Sequence, residues 1–183
     1  GVLKFIDYNK DGNKSDAERH YCGSATRKYS FSFSAGFTWK DLTFSAMLQG
    51  VAGAKAMNVA KFMTLSDVEG NFNRDSRILD AWSETNRDSD IPRLSKNDPN
   101  GNFSTPSDWY LENASYLRLK NVTVSYDLTN LIRKSAHLNS RNSRLSVYVS
   151  GENLCTITNY TGIDPECCGW DAMNYPVART FSF

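Results

Sequence analysis

The residues best suited to do chemistry lie near the start of the chain, in a segment whose oxygen-bearing side chains are spaced as in a calcium-binding loop. The segment reads Asp-x-Asn-x-Asp-Gly-x5-Glu. An EF-hand loop needs carboxylate or amide oxygens at positions 1, 3 and 5, glycine at 6, a backbone carbonyl at 7 and a bidentate glutamate at 12. The pattern therefore predicts a structural Ca²⁺ site, preferred over Mg²⁺, whose ligands are Asp7, Asn9, Asp11, Asn13 and Glu18.

Two alternatives to this ligand set stay open at the level of sequence. Asp16 can replace Glu18 if the loop closes earlier. The same residues also suit a metal-free turn, because Asp and Asn side chains accept hydrogen bonds from their own backbone and glycine tolerates left-handed conformations. The flanking residues do not form obvious amphipathic helices, so a paired EF-hand fold is not expected.

Catalytic chemistry finds little support in the sequence. Neither His20 nor His137 stands at a known motif spacing from a nucleophile, and both are expected to be exposed to solvent. Gly50-Val-Ala-Gly53 matches neither GxGxxG nor a P-loop. The four cysteines, Cys22, Cys155, Cys167 and Cys168, match no zinc motif and allow either disulfides or free thiols. We therefore expect a protein that is not an enzyme.

The elements that must position the loop are strands of an unusual kind. From Tyr29 to Phe37, aromatic residues and alanine alternate with serine and glycine, and neither parity carries a charge. Side chains of a strand alternate between its two faces, and about nine residues suffice for a tilted strand to cross a bilayer. The alternation predicts a transmembrane β-strand with aromatic side chains toward lipid and small polar groups toward a wet lumen.

Four further strands follow by the same reasoning. In the third predicted strand, the apolar residues switch from odd-numbered to even-numbered positions near Lys120, between Leu119 and Val122. A β-bulge there would restore one apolar face. The predicted all-β set consists of residues 28–38, 41–50, 115–127, 144–154 and 176–183.

Long and short connections alternate along the chain, as they do in outer-membrane barrels. We expect the long, polar segments 1–27, 51–114 and 155–175 outside the cell, and turns 38–41 and 128–143, the latter with a helical turn at 128–135, in the periplasm. Five strands cannot close a barrel, and open sheet edges are not tolerated in lipid. We therefore expect the 183 residues to be the terminal part of a larger barrel.

The bulk properties agree with this expectation. No run of 18 apolar residues is present, so a transmembrane helix is excluded. The formal net charge of +1 implies no general attraction to nucleic acid.

Several blocks together resemble the C-terminal region of the SusC/RagA-type TonB-dependent transporters of the Bacteroidetes outer membrane. They occur in the family's order and span nearly the whole chain, whereas any one of them alone would be weak. The blocks are residues 7–12, 21–30, 110–123, 147–154, 158–166 and 175–183.

The resemblance implies the C-terminal strands of a 22-stranded barrel occluded by an N-terminal plug. It also implies a SusD-like lipoprotein lid that captures oligosaccharides or peptides, and import energised through TonB. The plug and the TonB box are absent from this sequence, so energy coupling is expected to lie elsewhere. The family usually continues past the final Arg179-Thr-Phe-Ser-Phe183 block, so the resemblance implies a last strand that is longer in the family than in these 183 residues.

Aromatic residues in the long loops are candidates for ligand contact, because sugar-binding and protein-binding surfaces both use aromatic faces. The competing interpretation places Trp109 and Tyr110 in an aromatic girdle at the membrane boundary. By the same reasoning Trp39, in the short turn, belongs to the periplasmic girdle. The candidate residues are Trp82, Trp109, Tyr110, Tyr160 and Trp170. The rival to the transporter is a soluble, secreted, calcium-stabilised β-sandwich that serves as a carbohydrate-binding or adhesion module.

Overall fold

In the computed structural model, two compact units are built from interleaved segments of the chain. The structure describes residues 1–13, 15–66, 73–136 and 144–183. We call the first the loop unit, formed by Gly1–Thr26, Lys55–Asn113 and Thr161–Asn174, and the second the sheet unit, formed by Arg27–Ala54, Ala114–Tyr160 and Tyr175–Phe183.

The secondary structure is mostly β, as the sequence predicted, with short helices in the connections. In chain order the strands are β1 Tyr29–Trp39, β2 Leu42–Ala52, β3 Lys55–Asn58, β4 Leu111–Asn113, β5 Tyr116–Asp127, β6 Ser146–Thr158, β7 Trp170–Asp171 and β8 Thr180–Ser182. The α-helices are α1 Val59–Leu65 and α2 Thr129–Ala136, and the 3-10 helices are Asp16–Glu18, Ser76–Asp80 and Asp108–Tyr110. No helix among the described residues is long and apolar enough to cross a membrane.

The sheet unit is one antiparallel sheet with the order β1-β2-β5-β6-β8. β1 and β2 form a hairpin that turns through Lys40 and Asp41, and Lys40 takes the positive φ that tight hairpins require. The first three predicted strands agree with β1, β2 and β5 to within two residues. The predicted helical turn near residue 128 is α2, and the rest of the predicted turn, including His137, lies outside the described residues.

The predicted bulge is present at Lys120. Leu119 pairs with Leu48 and Asn121 with Met47, so Lys120 is the extra residue on β5. Because strand side chains alternate, one extra residue returns Val122, Val124 and Tyr126 to the face that holds Leu117 and Leu119.

The face restored by this bulge is apolar and free of charge across the whole sheet. Side chains of directly paired residues lie on the same face, so the register defines its rows. Four of them are Phe33–Leu48–Leu119–Cys155, Ala35–Ala46–Val122–Gly151–Phe181, Phe37–Phe44–Val124–Val149 and Trp39–Leu42–Tyr126–Val147. The opposite face is hydroxyl-rich and carries the charged groups, among them Arg118, which is 4% exposed and donates from Nε to Thr156 Oγ1 at 2.8 Å.

The last two strands differ from prediction. β6 is longer at its C-terminal end than expected, because Thr156, Ile157 and Thr158 continue to pair with β5. β8 spans only three residues rather than the predicted 176–183. Pro176 has no backbone N–H to donate to a ladder, and Asn153 on β6 takes a positive φ of 53°, where pairing with β8 stops.

The loop unit is more structured than the predicted long polar loops. A small sheet, ordered β4-β3-β7, joins three distant segments, with β3 antiparallel to β4 and parallel to β7. Around it lie the most buried large side chains, Tyr110, Phe103 and Leu65. Over its described residues, 55–66 and 73–113, this connection is therefore not an irregular loop but the main part of a packed unit.

Deleting Lys120 together with Asn121 tests whether the alternation beyond the bulge sets the apolar face. Leu119 would then be followed directly by Val122, so Thr123 and Ser125 would move onto that face, at a cost on the order of 4 kcal/mol for burying polar groups without partners. We expect most of the folded fraction to be lost within the larger barrel that the sequence predicts, measured by resistance to trypsin in detergent micelles. Lys120→Ala, which keeps the strand length, should fold normally; equal resistance of both variants would contradict this account.

Candidate functional site

A cleft of about 440 Å³ opens in the loop unit and combines an aromatic ring with charged groups of both signs. Four carboxylates and two cationic groups line it, so its net charge is negative. Its principal lining residues are Lys61, Arg77, Asp80, Asp88, Asp90, Trp109, Glu112 and Thr161. Of the aromatic residues predicted to contact a ligand, only Trp109 lines this cleft.

Trp109 is held by neighbours that fix its ring. It belongs to the 3-10 helix Asp108–Tyr110, and its Nε1 donates to the carbonyl of Asp90 at 3.3 Å. The rings of Phe103 and Tyr110 meet its ring edge-on, with centroids 6.2 and 4.9 Å away. Because the Trp109 ring is already held in one orientation, it loses little side-chain conformational entropy when a ligand packs against it.

Tyr110 supports the site from behind and does not present a face to a ligand. It is 1% exposed, and its hydroxyl donates to the carbonyl of Phe103 at 3.2 Å. Its ring packs edge-on against Phe62, and burial raises the pKa of its hydroxyl above the ordinary range. Neither the predicted ligand contact nor the girdle position suits this residue, because a core side chain contacts neither solvent nor lipid.

Lys61 closes one side of the cleft. Its helix, α1, is capped at the N-terminus by Asn58, whose Oδ1 accepts the Lys61 backbone N–H at 2.9 Å. The ammonium lies 4.0 Å over the Trp109 ring and donates to the Trp109 carbonyl at 2.6 Å. Burial lowers the pKa of Lys61 below its ordinary value, and the nearby Glu112 carboxylate, 3.8 Å away, opposes that shift.

Glu112 connects the three segments that meet at the cleft. Its Oε1 accepts from Asn58 Nδ2 at 3.2 Å and from Thr161 Oγ1 at 2.9 Å, and its Oε2 accepts from the Thr161 backbone N–H at 2.9 Å. Lys61 and Glu112 were missed at the level of sequence, because nothing in their spacing indicates that α1, β4 and residue 161 meet.

Asp98 organises the loop that carries Phe103. Its carboxylate accepts the backbone N–H groups of Asn102, Phe103 and Ser104 at 2.8 to 3.0 Å and the Ser104 hydroxyl at 2.9 Å. Burial alone would raise the pKa of Asp98, but these hydrogen bonds outweigh it and hold the pKa below its usual value. The loop therefore depends on an ionised, 7% exposed carboxylate.

The three other predicted ligand residues do not line the cleft. Trp82 is partly exposed, and its backbone N–H donates to the carbonyl of Ile91 at 2.9 Å. Tyr160 is 7% exposed, which leaves little surface for a ligand, whereas Trp170, on β7, is 56% exposed.

The predicted calcium loop brings its acidic residues together. Carboxylate oxygens of Asp7, Asp11 and Glu18 all lie within 4.8 Å of one another. Lys10 and Gly12 have φ values of 62° and 78°, which turn the chain sharply around them. Glu18 Oε1 is buried and has no hydrogen-bond partner among the described residues.

The same loop also shows the backbone capping that the metal-free alternative expects. Asp7 accepts from the N–H groups of Lys10 and Gly12 at 2.6 and 2.9 Å, Asn9 Oδ1 from Asp11 N at 3.0 Å, and Asp11 Oδ1 from Asn13 N at 2.7 Å. Glu18 Oε2 accepts from the N–H and the hydroxyl of Ser15 in a capping box. Asp16, the alternative ligand, instead pairs with Arg19 at 2.9 Å and its side chain is 86% exposed.

Sequence comparison finds relatives of known type, although no family model matches the chain. TonB-dependent receptor P3 of Formosa agariphila is 29% identical and the alignment covers 97% of this chain; receptor P26 of the same organism is 30% identical over 100% of it. TonB-dependent receptor SusC of Bacteroides thetaiotaomicron is 26% identical over 97%. The chain spans only 17 to 19% of the length of these relatives.

Structural comparison points the same way. A structure of the RagAB peptide transporter matches with a TM-score of 0.75 and 30% identity, over 92% of this chain and 18% of the matched one. The RagAB peptide importer in its closed-closed state matches with a TM-score of 0.76 and 29% identity, over 98% of this chain and 20% of the matched one.

Asp98→Asn tests the support of the cleft. The amide keeps the shape of the side chain but can accept with only one oxygen, so we expect the loop to lose about 3 kcal/mol of local stability. Hydrogen exchange of the amides of residues 102–104 should accelerate by about 100-fold. Because the pKa of Asp98 is lower in the folded than in the unfolded protein, its hydrogen bonds stabilise the loop at any pH above the unfolded-state pKa. This stabilisation is lost as the pH falls through the folded-state pKa of Asp98. Unchanged protection in the variant would contradict this role.

Proposed function

Because the chain is homologous to the TonB-dependent receptors over nearly its whole length, as its motifs predicted, we propose that it forms barrel wall and outer loops of a nutrient importer. These receptors are outer-membrane proteins, so the outer membrane is also the location of this chain, as predicted. In this proposal the chain transports rather than catalyses.

The observation that carries the proposal is the uncovered apolar face of the sheet unit. Large side chains on it keep much of their surface exposed: Phe33 63%, Phe37 59%, Val149 60%, Ile157 68% and Phe181 67%. A soluble protein seldom exposes so wide an apolar surface. A lipid environment removes the cost of that exposure, while the hydroxyl-rich opposite face suits a hydrated lumen.

The edges of the same sheet support a larger barrel. Among the described residues, no strand pairs with the outer edge of β1 or of β8. Unpaired backbone groups cost several kcal/mol each in lipid, so both edges require neighbouring strands. We propose that the rest of a 22-stranded barrel supplies them, together with the plug and the TonB contact.

The loop unit is proposed to lie outside the cell. Its three segments, 1–26, 55–113 and 161–174, fall within the predicted extracellular loops, while the short turn at Lys40 and Asp41 falls at the other end of β1. In this arrangement the cleft beside Trp109 contacts an incoming oligosaccharide or peptide, which a SusD-like lipoprotein presents. The aromatic ring supplies apolar contact, and the carboxylates and Lys61 supply hydrogen bonds.

The exposed apolar face also argues against the alternative of a soluble β-sandwich. A sandwich buries the apolar faces of two sheets against each other, at about 10 Å separation. Side chains such as Phe33 and Val149 would then be buried, whereas they are 63% and 60% exposed.

We also propose that Ca²⁺ binds the loop at Asp7, Asn9, Asp11, Asn13 and Glu18. Hard oxygen donors suit this ion, three carboxylates converge, and the unpartnered Glu18 Oε1 is an oxygen that a cation would satisfy. Bound there, Ca²⁺ would neutralise the mutual repulsion of the carboxylates and hold the N-terminal segment of the loop unit.

Trp109→Ala tests the import function and the cleft together. In a strain whose only copy of the full-length receptor carries this change, we expect uptake of the receptor's cargo to fall by about tenfold, as for loss of an aromatic anchor. Growth would be measured separately on a peptide mixture and on polysaccharides as sole nutrients.

Trp170→Ala is the matched control, because Trp170 is exposed in the same unit but does not line the cleft. Deletion of the whole receptor should abolish growth on one nutrient class and spare growth on amino acids and monosaccharides. Normal growth of the deletion strain on every nutrient would refute the importer; equal uptake by parent and Trp109→Ala would refute only the cleft.

Asp11→Asn tests the calcium proposal, because it removes one ligand charge and keeps an oxygen in place. We expect one fewer Ca²⁺ per detergent-solubilised receptor, or an affinity reduced by about tenfold or more, in calorimetric titration. Asp16→Asn, outside the carboxylate cluster, should titrate like the parent. The proposal fails if parent and Asp11→Asn bind the same number of ions with the same affinity.

A further inference from the structure

A second cluster in the loop unit has a different donor set from the calcium loop. Three potential ligand atoms, one each from His20, Cys22 and Asp108, all lie within 4.8 Å of one another. His20 and Cys22 are close in sequence, whereas Asp108 comes from the 3-10 helix Asp108–Tyr110. An imidazole nitrogen, a thiol sulfur and a carboxylate oxygen together form a donor set typical of zinc.

We propose that His20, Cys22 and Asp108 bind a borderline divalent transition-metal ion, with Zn²⁺ as the best fit, and that water fills a fourth position. The set contains two donors, sulfur and nitrogen, that hard ions such as Ca²⁺ and Mg²⁺ disfavour. The site is therefore separate in its chemistry from the carboxylate cluster of Asp7, Asp11 and Glu18.

The distance between the two softer donors suits tetrahedral coordination. Cys22 Sγ and His20 Nε2 are 3.3 Å apart. Zn–S and Zn–N bonds of their usual lengths at a tetrahedral angle would separate these atoms by about 3.6 Å, so only a few tenths of an ångström of movement is needed. Without the metal, the same closeness is maintained by a hydrogen bond between thiol and imidazole.

The surroundings leave the ligand atoms available. The Tyr8 ring lies 5.6 Å from the His20 ring, tilted by 56°, and restricts its orientation. Cys22 is half-buried and forms no disulfide, and its thiol also lies within donating distance, 3.5 Å, of the His20 carbonyl oxygen. Within the described part of the chain, the Asp108 carboxylate accepts no hydrogen bond and forms no ion pair, so a cation would be its first partner.

Occupancy would also affect the cleft. Asp108 immediately precedes Trp109, and the metal would tie the 3-10 helix that carries Trp109 to the segment around residue 20. The site would then act as a cross-link between parts of the chain that are distant in sequence. Binding of Zn²⁺ does not depend on the proposed import function.

Cobalt substitution gives the direct test, on the full-length receptor purified in detergent, chelator-treated and kept reduced. We expect Co²⁺ to produce a thiolate-to-cobalt charge-transfer band and tetrahedral ligand-field bands, both removed by stoichiometric Zn²⁺. Cys22→Ser should abolish the charge-transfer band and weaken Zn²⁺ affinity by more than about 100-fold, since even outer-shell partners contribute 10- to 100-fold. His20→Ala and Asp108→Asn should weaken affinity while leaving a sulfur band at high Co²⁺.

Cys168→Ser is the matched control, because Cys168 is an exposed cysteine of the same unit that lies outside the cluster. It should leave the spectrum unchanged, and excess Ca²⁺ should not displace Co²⁺. Circular dichroism of each variant separates lost ligands from lost folding. Absence of the band in the parent, its persistence in Cys22→Ser, or its displacement by Ca²⁺ would each overturn the proposal.

Discussion

One constraint governs the sheet unit: every side chain on one face must be apolar while every backbone group is paired. Rows such as Phe37–Phe44–Val124–Val149 run across four strands without a charge. The bulge at Lys120 exists because β5 would otherwise turn polar side chains to that face over half its length. Gly50 belongs to the same requirement, because the ring of Phe31 on the paired strand covers the bare backbone of Gly50 and leaves no room for a Cβ there.

The loop unit obeys a different constraint, because short strands and polar segments cannot be stabilised by an apolar face alone. Buried and half-buried polar side chains join its distant segments. Asn58 caps α1 and contacts both Glu112 and Thr161, while Asp98 gathers three consecutive N–H groups. Such groups must be fully paired to be stable, so they specify one arrangement of the chain. This explains how polar connections between membrane strands form a packed unit with a defined cleft.

The sequence predicts the features that local alternation or local spacing encodes. The strands β1, β2 and β5, the bulge at Lys120 and the convergence of Asp7, Asp11 and Glu18 all follow from residues within one segment. Contacts between remote segments carry no such signal. The small sheet of β3, β4 and β7 uses strands of two to four residues, too short for periodicity to be visible. Because contacts between remote segments leave no pattern in the sequence, Tyr110 was predicted to lie at the surface rather than in the core. The approach of Asp108 to His20 was not predicted for the same reason.

The central claim is that alternate residues of β1 face lipid and water. Nitroxide labels placed singly at residues 30–37 of the full-length receptor, reconstituted in liposomes, test it directly. We predict that collisions with oxygen, which concentrates in lipid, peak at positions 31, 33 and 37. Collisions with a water-soluble nickel complex should peak at positions 30, 32 and 34, which carry serines in the native chain. Equal access of the nickel complex to both sets, without a period of two, would contradict a membrane-facing sheet.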